Sequence, residues 1–299
     1  MSSPPLCSII ITTYYRNNDL KRAIESAQRQ TYGPVEVLVI DDSGEANAQE
    51  VINEFDIEYI SKDQNEGQMA AWNTGIEHCN GKYVQFLDDD DQLLPKKIEK
   101  QIKLLDSQNE VGVVYSGFNW ESGGSNDPTI YGEVLPEILT LNTSPCTTST
   151  MLIRFDEIQP ITPLPIYPAA TDEILKIELA QNTKFDFIDE RLVIRGEGND
   201  NVSGSMKKIN AWCEIIDEYN QLYNQQQPSI KKRARSHIFY SKGSHHLAQN
   251  RLSIIARLLI LYSIIVYPGV DRSKVVTLLR SLGGQPAVAL GKTIKSIFR

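Results

Sequence analysis

Three short polar clusters each follow a run of β-branched and aliphatic residues. They are Thr12-Thr13-Tyr14 after Ser8 to Ile11, Asp41-Asp42 after Val35 to Ile40, and Asp88-Asp89-Asp90-Asp91 after Tyr83 to Leu87. In an open α/β sheet, ligands bind outside the carboxyl ends of the strands, so all three clusters belong on one edge. An Asp run in a loop is often no more than a solvated turn. Four successive carboxylates beside Asp41-Asp42, however, repel one another and rise in pKa unless a cation neutralises them. Carboxylate oxygens together with diphosphate oxygens suit Mg2+ or Mn2+, which take hard ligands in octahedral geometry. Neither a Walker lysine motif nor a GxGxxG follows the first apolar run. Phosphates would therefore be met by metal rather than by a glycine loop.

These clusters need a scaffold, and the chain supplies its signals in order. Ser8 to Thr12 is apolar and β-branched on both faces, as a buried parallel strand should be. Asn17-Asn18-Asp19 offers N-cap chemistry to a helix carrying Leu20, Ile24 and Ala27. Val35 to Ile40 and Ile57 to Ile60 read as the next strands. The loop Asn65-Glu66-Gly67 then opens a helix that runs through Cys79. Asn80-Gly81 turns the chain into Tyr83 to Leu87, Pro95 opens a helix to about Leu105, and Val111 to Tyr115 is a further strand. This alternation predicts an α/β fold, a parallel sheet wound by helices. After Ser116 the pattern loosens. A strand is expected at Thr148 to Ile153, a helix from Thr171-Asp172-Glu173, and an extended stretch at Phe185 to Ile194. From Ser205 the chain is mostly helical, which divides it into residues 1–204 and a C-terminal helical region, 205–299.

Composition narrows the function classes. Of 299 residues, 41% are hydrophobic, enough for a real core, so a disordered chain is excluded. Four cysteines without a CxxC, and four histidines of which His245-His246 are adjacent, argue against a disulfide framework or a zinc site. No basic leader and no run of 18 uncharged apolar residues occurs, so the expectation is a cytoplasmic chain. The net charge of -8 conceals an asymmetry: -20 over residues 1–228 and +12 over 229–299, where Asp271 is the one acid. A body at -20 repels nucleic acid. The basic tail is suited to peripheral contact with an anionic membrane, at its inner face, or to packing on the acidic body. Ile254, Ile255, Leu258, Leu259, Leu261 and Tyr262 stand at helical spacing there, more often the core of a small helical domain than a membrane anchor.

Several segments, in order, resemble the inverting, metal-dependent family 2 glycosyltransferases of the GT-A fold. Ser8 to Arg16 is similar to the opening strand and its PTYNR-like end, and Ser26 to Tyr32 to the SxxxQTY segment. Val39 to Ser43 resembles the VDDGS turn. Asn65-Glu66-Gly67 with Ala71 to Ile76 resembles the NxG…ARNxGI stretch. Phe86 to Asp91 with Pro95 resembles the region that holds the DXD motif. The resemblance covers roughly residues 6–105 and runs on more faintly to about Ser203.

The resemblance implies a Rossmann-like, mostly parallel sheet flanked by helices. It also implies transfer of a sugar from a nucleotide sugar, most often a UDP-sugar, to a glycan or lipid-linked acceptor, with Mg2+ or Mn2+. Thr12 and Tyr14 would line the nucleotide base pocket, with Asp42 at the base edge. Asp88 would approach the ribose and diphosphate, and Asp90 would ligate the metal. Asp172, in the ED-like segment, would be the catalytic base, and Glu197 and Asn201 would stand in an acceptor loop. Trp72 departs from the family's usual Arg, Gly198 from its common His, and Thr171 from the first acid of the ED pair.

Bland readings stand beside these. Asp172 at a helix start is also a good N-cap, Thr12 and Tyr14 could simply end a strand, and Trp72 reads best as core packing. Two other functions share the metal carboxylates or the sheet: a nucleotidyltransferase and a non-catalytic sugar-nucleotide-binding module. The first normally carries a Gly-rich, basic first loop, unlike Thr12-Thr13-Tyr14-Tyr15.

Overall fold

The computed structural model describes residues 3–141, 145–196, 205–269 and 272–282. The chain falls into two compact units, Met1–Leu135 with Ser144–Asp200, and Pro136–Thr143 with Asn201–Arg299.

The first unit is built on one mixed sheet. Its strands are β1 (Cys7–Thr13), β2 (Val35–Asp41), β3 (Glu58–Ser61), β4 (Tyr83–Asp88), β5 (Gln92–Leu93), β6 (Val111–Trp120), β7 (Ser125–Asn126), β8 (Leu152–Arg154) and β9 (Lys184–Arg195). They lie in the order β3-β2-β1-β4-β8-β6-β9-β5, with β7 paired to β6. The half β3-β2-β1-β4 is parallel. Strand β8 runs antiparallel to both neighbours, while β6 and β9 are parallel again. The parallel half agrees with the βαβ rhythm. The reversal at β8 follows a stretch where that rhythm had already broken down.

Every residue of β1 is buried, because helices cover both faces of the sheet. Helix α1 (Asn17–Gln28) lays Leu20, Ala23, Ile24 and Ala27 against Ile9 and Ile11. After the single-turn α2 (Gln49–Ile52), helix α3 (Gln68–His78) covers the other face so closely that a Cβ on Gly75 would fall 2.4 Å from Cγ2 of Ile10. Helix α4 (Lys97–Ser107) adds Ile98, Ile102 and Leu105 to the α1 side. The short α6 (Phe155–Ile158) and the longer α7 (Thr171–Ala180) complete this unit, while α5 (Leu135–Ile138) belongs almost wholly to the second.

Two local expectations are corrected. The N-cap of α1 is Arg16, whose guanidinium has no acceptor to offer the first-turn N–H groups, and the Asn17 amide is used elsewhere, donating to Asn47 O at 3.0 Å. The stretch Thr148 to Ile153 is not one strand. Thr148–Thr150 forms a 3-10 turn closed by a Thr147/Thr150 capping box, and only then does β8 begin. The Thr150 hydroxyl favours the turn, because it accepts from Thr147 N–H at 3.2 Å and donates to Thr147 O at 2.7 Å, backbone groups that a strand would have left to a neighbour.

The second unit is helical: α8 (Met206–Glu218), α9 (Asn220–Gln225), α10 (Pro228–Gln249), α11 (Ile254–Val266) and α12 (Arg272–Ser281). Pro136–Thr143 joins it through the buried Tyr223, whose hydroxyl donates to Leu139 O at 2.7 Å. The expected core face of α11 is turned outward. Ala256, Ile260 and Ser263 are its buried positions, whereas Ile254, Ile255, Leu258, Leu261 and Tyr262 are exposed.

Candidate active site

The parallel register brings the three polar clusters to one edge. Thr12 pairs with Ile40 on one side and Asp88 on the other, and Thr13 pairs with Asp41. Strand β4 ends in a tight turn in which Asp91 N–H donates to Asp88 O at 3.1 Å. That turn gives the four aspartates different surroundings.

Asp89 points into the β1 end. Its carboxylate accepts from Thr13 Oγ1 at 2.8 Å and from Arg16 Nη1 at 3.2 Å. Burial pushes its pKa up to about 6 against the opposing pull of Arg16 and Thr13. The other three converge. Among the described residues, Asp88, Asp90 and Asp91 each bring a carboxylate oxygen within 4.8 Å of the others'. Burial, and then the charges of Asp91, Asp172 and Asp90, hold Asp88 well above the usual carboxylate range. Burial raises Asp91 to about 6, while Arg195 and the Ser149 hydroxyl pull the other way. Asp91 Oδ1 accepts from Gly196 N–H at 3.0 Å, and its buried Oδ2 has no hydrogen bond, with Arg195 Nε 3.6 Å away. The Arg195 guanidinium in turn lies over the Phe118 and Trp120 rings. Three hard oxygen donors that repel one another, one with a buried unbonded oxygen, fit a divalent cation such as Mg2+ or Mn2+.

Asp172 lies in the first turn of α7 and is not its cap. The cap is Ala170, held at φ +61° without a side-chain bond. The Asp172 charge is among those that raise Asp88. The acidic turn and the start of α7 also meet through a side-chain relay. Thr171 Oγ1 donates to Gln68 Oε1 at 2.7 Å, and Gln68 Nε2 donates to Asp88 Oδ1 at 3.1 Å. Tyr15, beside Tyr14 at the end of β1, is held at φ +56°. A left-handed tyrosine and a left-handed alanine are costly positions, and such costs gather at functional turns.

The remaining predicted residues separate by role. Thr12 is buried at the β1 end, and Tyr14 is half exposed, its ring edge-on to Tyr15 at 4.7 Å. Asp42 is buried, and both its oxygens accept from backbone, Oδ1 from Glu66 N–H at 3.0 Å and Oδ2 from Gly67 N–H at 2.7 Å. It thus fixes the loop that presents Gln68. Asp41 is used inside the fold, accepting from Ser43 N–H, Ala48 N–H and the Tyr59 hydroxyl. Trp72 is fully buried against Phe86, with ring centroids 5.1 Å apart, as its apolar surroundings suggested. Glu197 and Asn201 lie outside the described residues.

Sequence reasoning missed Gln68, Asp91, Ser149 and the buried polar layer behind them. Gln85 stands in an otherwise apolar strand, and that break in pattern was its signal. Lys97 Nζ donates to Gln85 Oε1 and, at 2.6 Å, to Gln101 Oε1. The two amides then donate to Ser149 O and Thr150 O. Ser149 Oγ accepts from Asp88 N–H at 3.1 Å. This layer fixes the back of the acidic turn. A cavity of about 550 Å3 lies elsewhere, lined by Gln28 and by β2 and β3 residues such as Glu36 and Glu58. Glu36 is occupied there by Ser8 and Asn80, and among the described residues no reactive set lines the cavity.

Comparison with known proteins gives the same direction. The sequence model of glycosyl transferase family 2 matches residues 8–159. An uncharacterized glycosyltransferase of Rickettsia prowazekii is 38% identical over 117 residues, 38% of this chain and 36% of that protein. An Escherichia coli UDP-Glc:alpha-D-GlcNAc-diphosphoundecaprenol beta-1,3-glucosyltransferase is 31% identical over 141 residues, 46% of this chain and 54% of that one. The matched stretch thus spans well under two thirds of these relatives. Among solved structures, S. aureus TarS 1-349 with UDP-GlcNAc superposes with a TM-score of 0.63 at 11% identity, over 93% of this chain and 81% of that chain. The mannosyltransferase PcManGT of Pyrobaculum calidifontis, with GDP-Man and Mn2+, gives 0.57 at 14% identity, over 99% and 81%. At such identities the likeness is one of fold, the GT-A arrangement.

Proposed function

Because the chain belongs to glycosyl transferase family 2, we propose that it transfers a sugar from a nucleotide sugar, by preference a UDP-sugar, to an acceptor hydroxyl with inversion at the anomeric carbon. The observation that carries this reading is the convergence of Asp88, Asp90 and Asp91 at the end of β4, with Asp172 electrostatically coupled to Asp88. The name of one relative supports the donor and the acceptor class. The E. coli relative is named for UDP-Glc and a diphosphoundecaprenol-linked saccharide, so a lipid-linked saccharide or another glycan is the proposed acceptor. Four free cysteines are consistent with a reducing, cytoplasmic setting.

In this reading Asp90 holds Mg2+ or Mn2+, with Asp88 and Asp91 beside it. When bound, such a cation supplies positive charge where the departing nucleoside diphosphate gains negative charge. Thr12, Tyr14 and Asp42 flank the nucleotide, and Asp42 also keeps the Glu66–Gly67 loop in place for Gln68. Asp172 removes the proton of the attacking hydroxyl, since a sugar hydroxyl is a weak nucleophile until its proton has an acceptor. One base suffices for a single in-line displacement, which inverts the centre attacked. Glu197 and Asn201 are assigned to the acceptor side.

A thermal-shift series with UDP-glucose, UDP-GlcNAc and GDP-mannose, each with and without Mn2+, tests the reading. A ligand that binds only the folded chain raises its melting temperature. The expected result is a Mn2+-dependent rise with a UDP-sugar, absent in Asp90→Ala, together with UDP release on adding acceptor. A chain that no sugar nucleotide stabilises overturns the donor reading. Asp90→Ala behaving as the parent overturns the metal assignment, and binding without UDP release leaves a non-catalytic module.

A further inference from the structure

We infer that α11 is a lipid-docking helix, lying in the interface of an anionic bilayer with its outer face among the acyl chains. Helix α11 reads Ile-Ile-Ala-Arg-Leu-Leu-Ile-Leu-Tyr-Ser-Ile-Ile-Val, and its 13 residues are apolar almost all round. A helix of that kind belongs in a core or in lipid. No helix among the described residues is long and apolar enough to cross a membrane. The helix does half of what a core helix does. Ala256, Ile260 and Ser263 face its own unit, where Ser236 Oγ donates to Ser263 O at 2.7 Å and Gly243 lies under Ile260.

The other half is open. Ile254, Ile255, Leu258, Leu261, Tyr262 and Ile265 are each between 43% and 70% exposed. At 100° per residue they fill about a third of the helix circumference without a polar interruption. Leu252 extends the stripe before the helix. The hydrogen bond from Arg257 Nη2 to Ser281 O, 2.6 Å, brings the end of α12 and the exposed Leu282 to its first turns. Monomeric chains rarely leave so continuous an apolar surface in water unless something covers it.

Charge selects the cover. Arg251, Arg272 and Arg280 are exposed around this helix pair, and residues 229–299 carry a net +12. A second copy of the same face would set like charges together. The chain's own residues 283–299 add three more basic residues and no acid. An anionic bilayer supplies both halves of the complement, an apolar phase for the stripe and negative headgroups for the arginines. Lipid docking is separate from sugar transfer and is read without any sugar nucleotide, so either can fail alone.

The test is co-sedimentation of the full chain with vesicles of phosphatidylcholine alone and of phosphatidylcholine mixed with phosphatidylglycerol, at low and high salt. The parent is expected to pellet with the anionic vesicles at low salt and much less in the other conditions. The double variant Ile255→Gln/Leu258→Gln should lose roughly tenfold or more in partitioning, the size expected when several lipid-buried methylene groups become polar. An unchanged melting temperature of the free variant shows that its fold is intact. In Leu258→Trp, indole emission should move to the blue when anionic vesicles are added. A parent that stays in the supernatant, a double variant that pellets equally, or an unshifted indole overturns the inference. So does a parent dimer in light scattering that the same two substitutions split, since the occupant is then a second copy.

Discussion

The turn after β4 and the outer face of α11 break opposite rules of folding. At the turn, charge is drawn inward: Asp89 and Asp91 are nearly buried, and Asp88 is held well above its ordinary pKa. On α11, apolar surface is pushed outward. Both arrangements cost stability, one through desolvated and mutually repelling carboxylates, the other through hydration of Ile and Leu side chains. Neither is needed to form its own unit. The sheet is already closed by the apolar contacts of β1, α1 and α4, and the helical unit by Ala256, Ile260 and their partners. In the proposed reading something outside the chain removes each cost: a cation and a diphosphate at the turn, a lipid phase at the helix.

The largest effect is expected where the comparison touches chemistry. Asp172→Asn should keep donor and metal affinity and lose transfer by roughly 10²–10⁴-fold, the span of general-base contributions. Single-turnover rates alongside calorimetric UDP binding check it. Near-parent turnover would move the base elsewhere. Next in size is Gly196→Ala. A Cβ there would stand 2.2 Å from Asp90 O, so the acidic turn or the end of β9 must shift. The expectation is a loss of about 1–3 kcal/mol by urea titration, as for other overpacked sites, with weaker Mn2+-dependent donor binding. If donor binding stays at the parent level, the turn is less finely set than the contact implies.

Much of the sheet was legible because β1, β2 and β4 are apolar runs punctuated by polar ends, and parallel register carries those ends to one edge. The acids of that edge were legible for the same reason. Which of four consecutive aspartates would turn inward was not. That depends on the Asp91-to-Asp88 turn and on Thr13 and Arg16, residues far apart in sequence from the acids they hold. Gln68 was hidden likewise, since a glutamine at a helix start says nothing of Thr171 a hundred residues on. The orientation of α11 was illegible because a helix apolar on every side has no periodicity to point with. Its inward face was chosen by small residues and by Gly243, which let α10 approach.

A smaller effect sharpens the inward half of the comparison. Lys97 is wholly buried on two glutamine oxygens without a carboxylate, and burial lowers it to about 7; the nearby Cys7 thiol, itself raised to about 12, pulls Lys97 back up only weakly. An unfolded lysine keeps its proton to near 10.5. Between those values the unfolded chain holds more protons than the folded one, so this lysine makes stability rise as pH rises through the window. Below pH 7 both states are charged and the burial cost is present in full. Lys97→Met removes the dependence. The stability of the parent relative to the variant should improve by about 2 kcal/mol from pH 7 to pH 9. Parallel urea midpoints across that range would mean that the ammonium is better solvated than its burial suggests.

The smallest effect, that of Leu258→Ala read against Ile260→Ala, is the sharpest test of the outward half. Leu258 and Ile260 sit two residues apart on α11, one 59% exposed and the other fully buried. Ile260→Ala should cost about 2–5 kcal/mol, because it removes atoms packed on Gly243 and leaves a cavity. Leu258→Ala in the absence of lipid should change stability by no more than about 0.5 kcal/mol, as at ordinary surface positions, since most of what its side chain gives up is contact with water. Thermal melts of both variants, at concentrations spanning a hundredfold dilution, decide the matter. If Leu258→Ala also costs several kcal/mol, and more at high concentration than at low, the face is covered by another copy of the chain. A flat, near-zero effect leaves an exposed apolar stripe whose stabilising contact has to come from outside the protein.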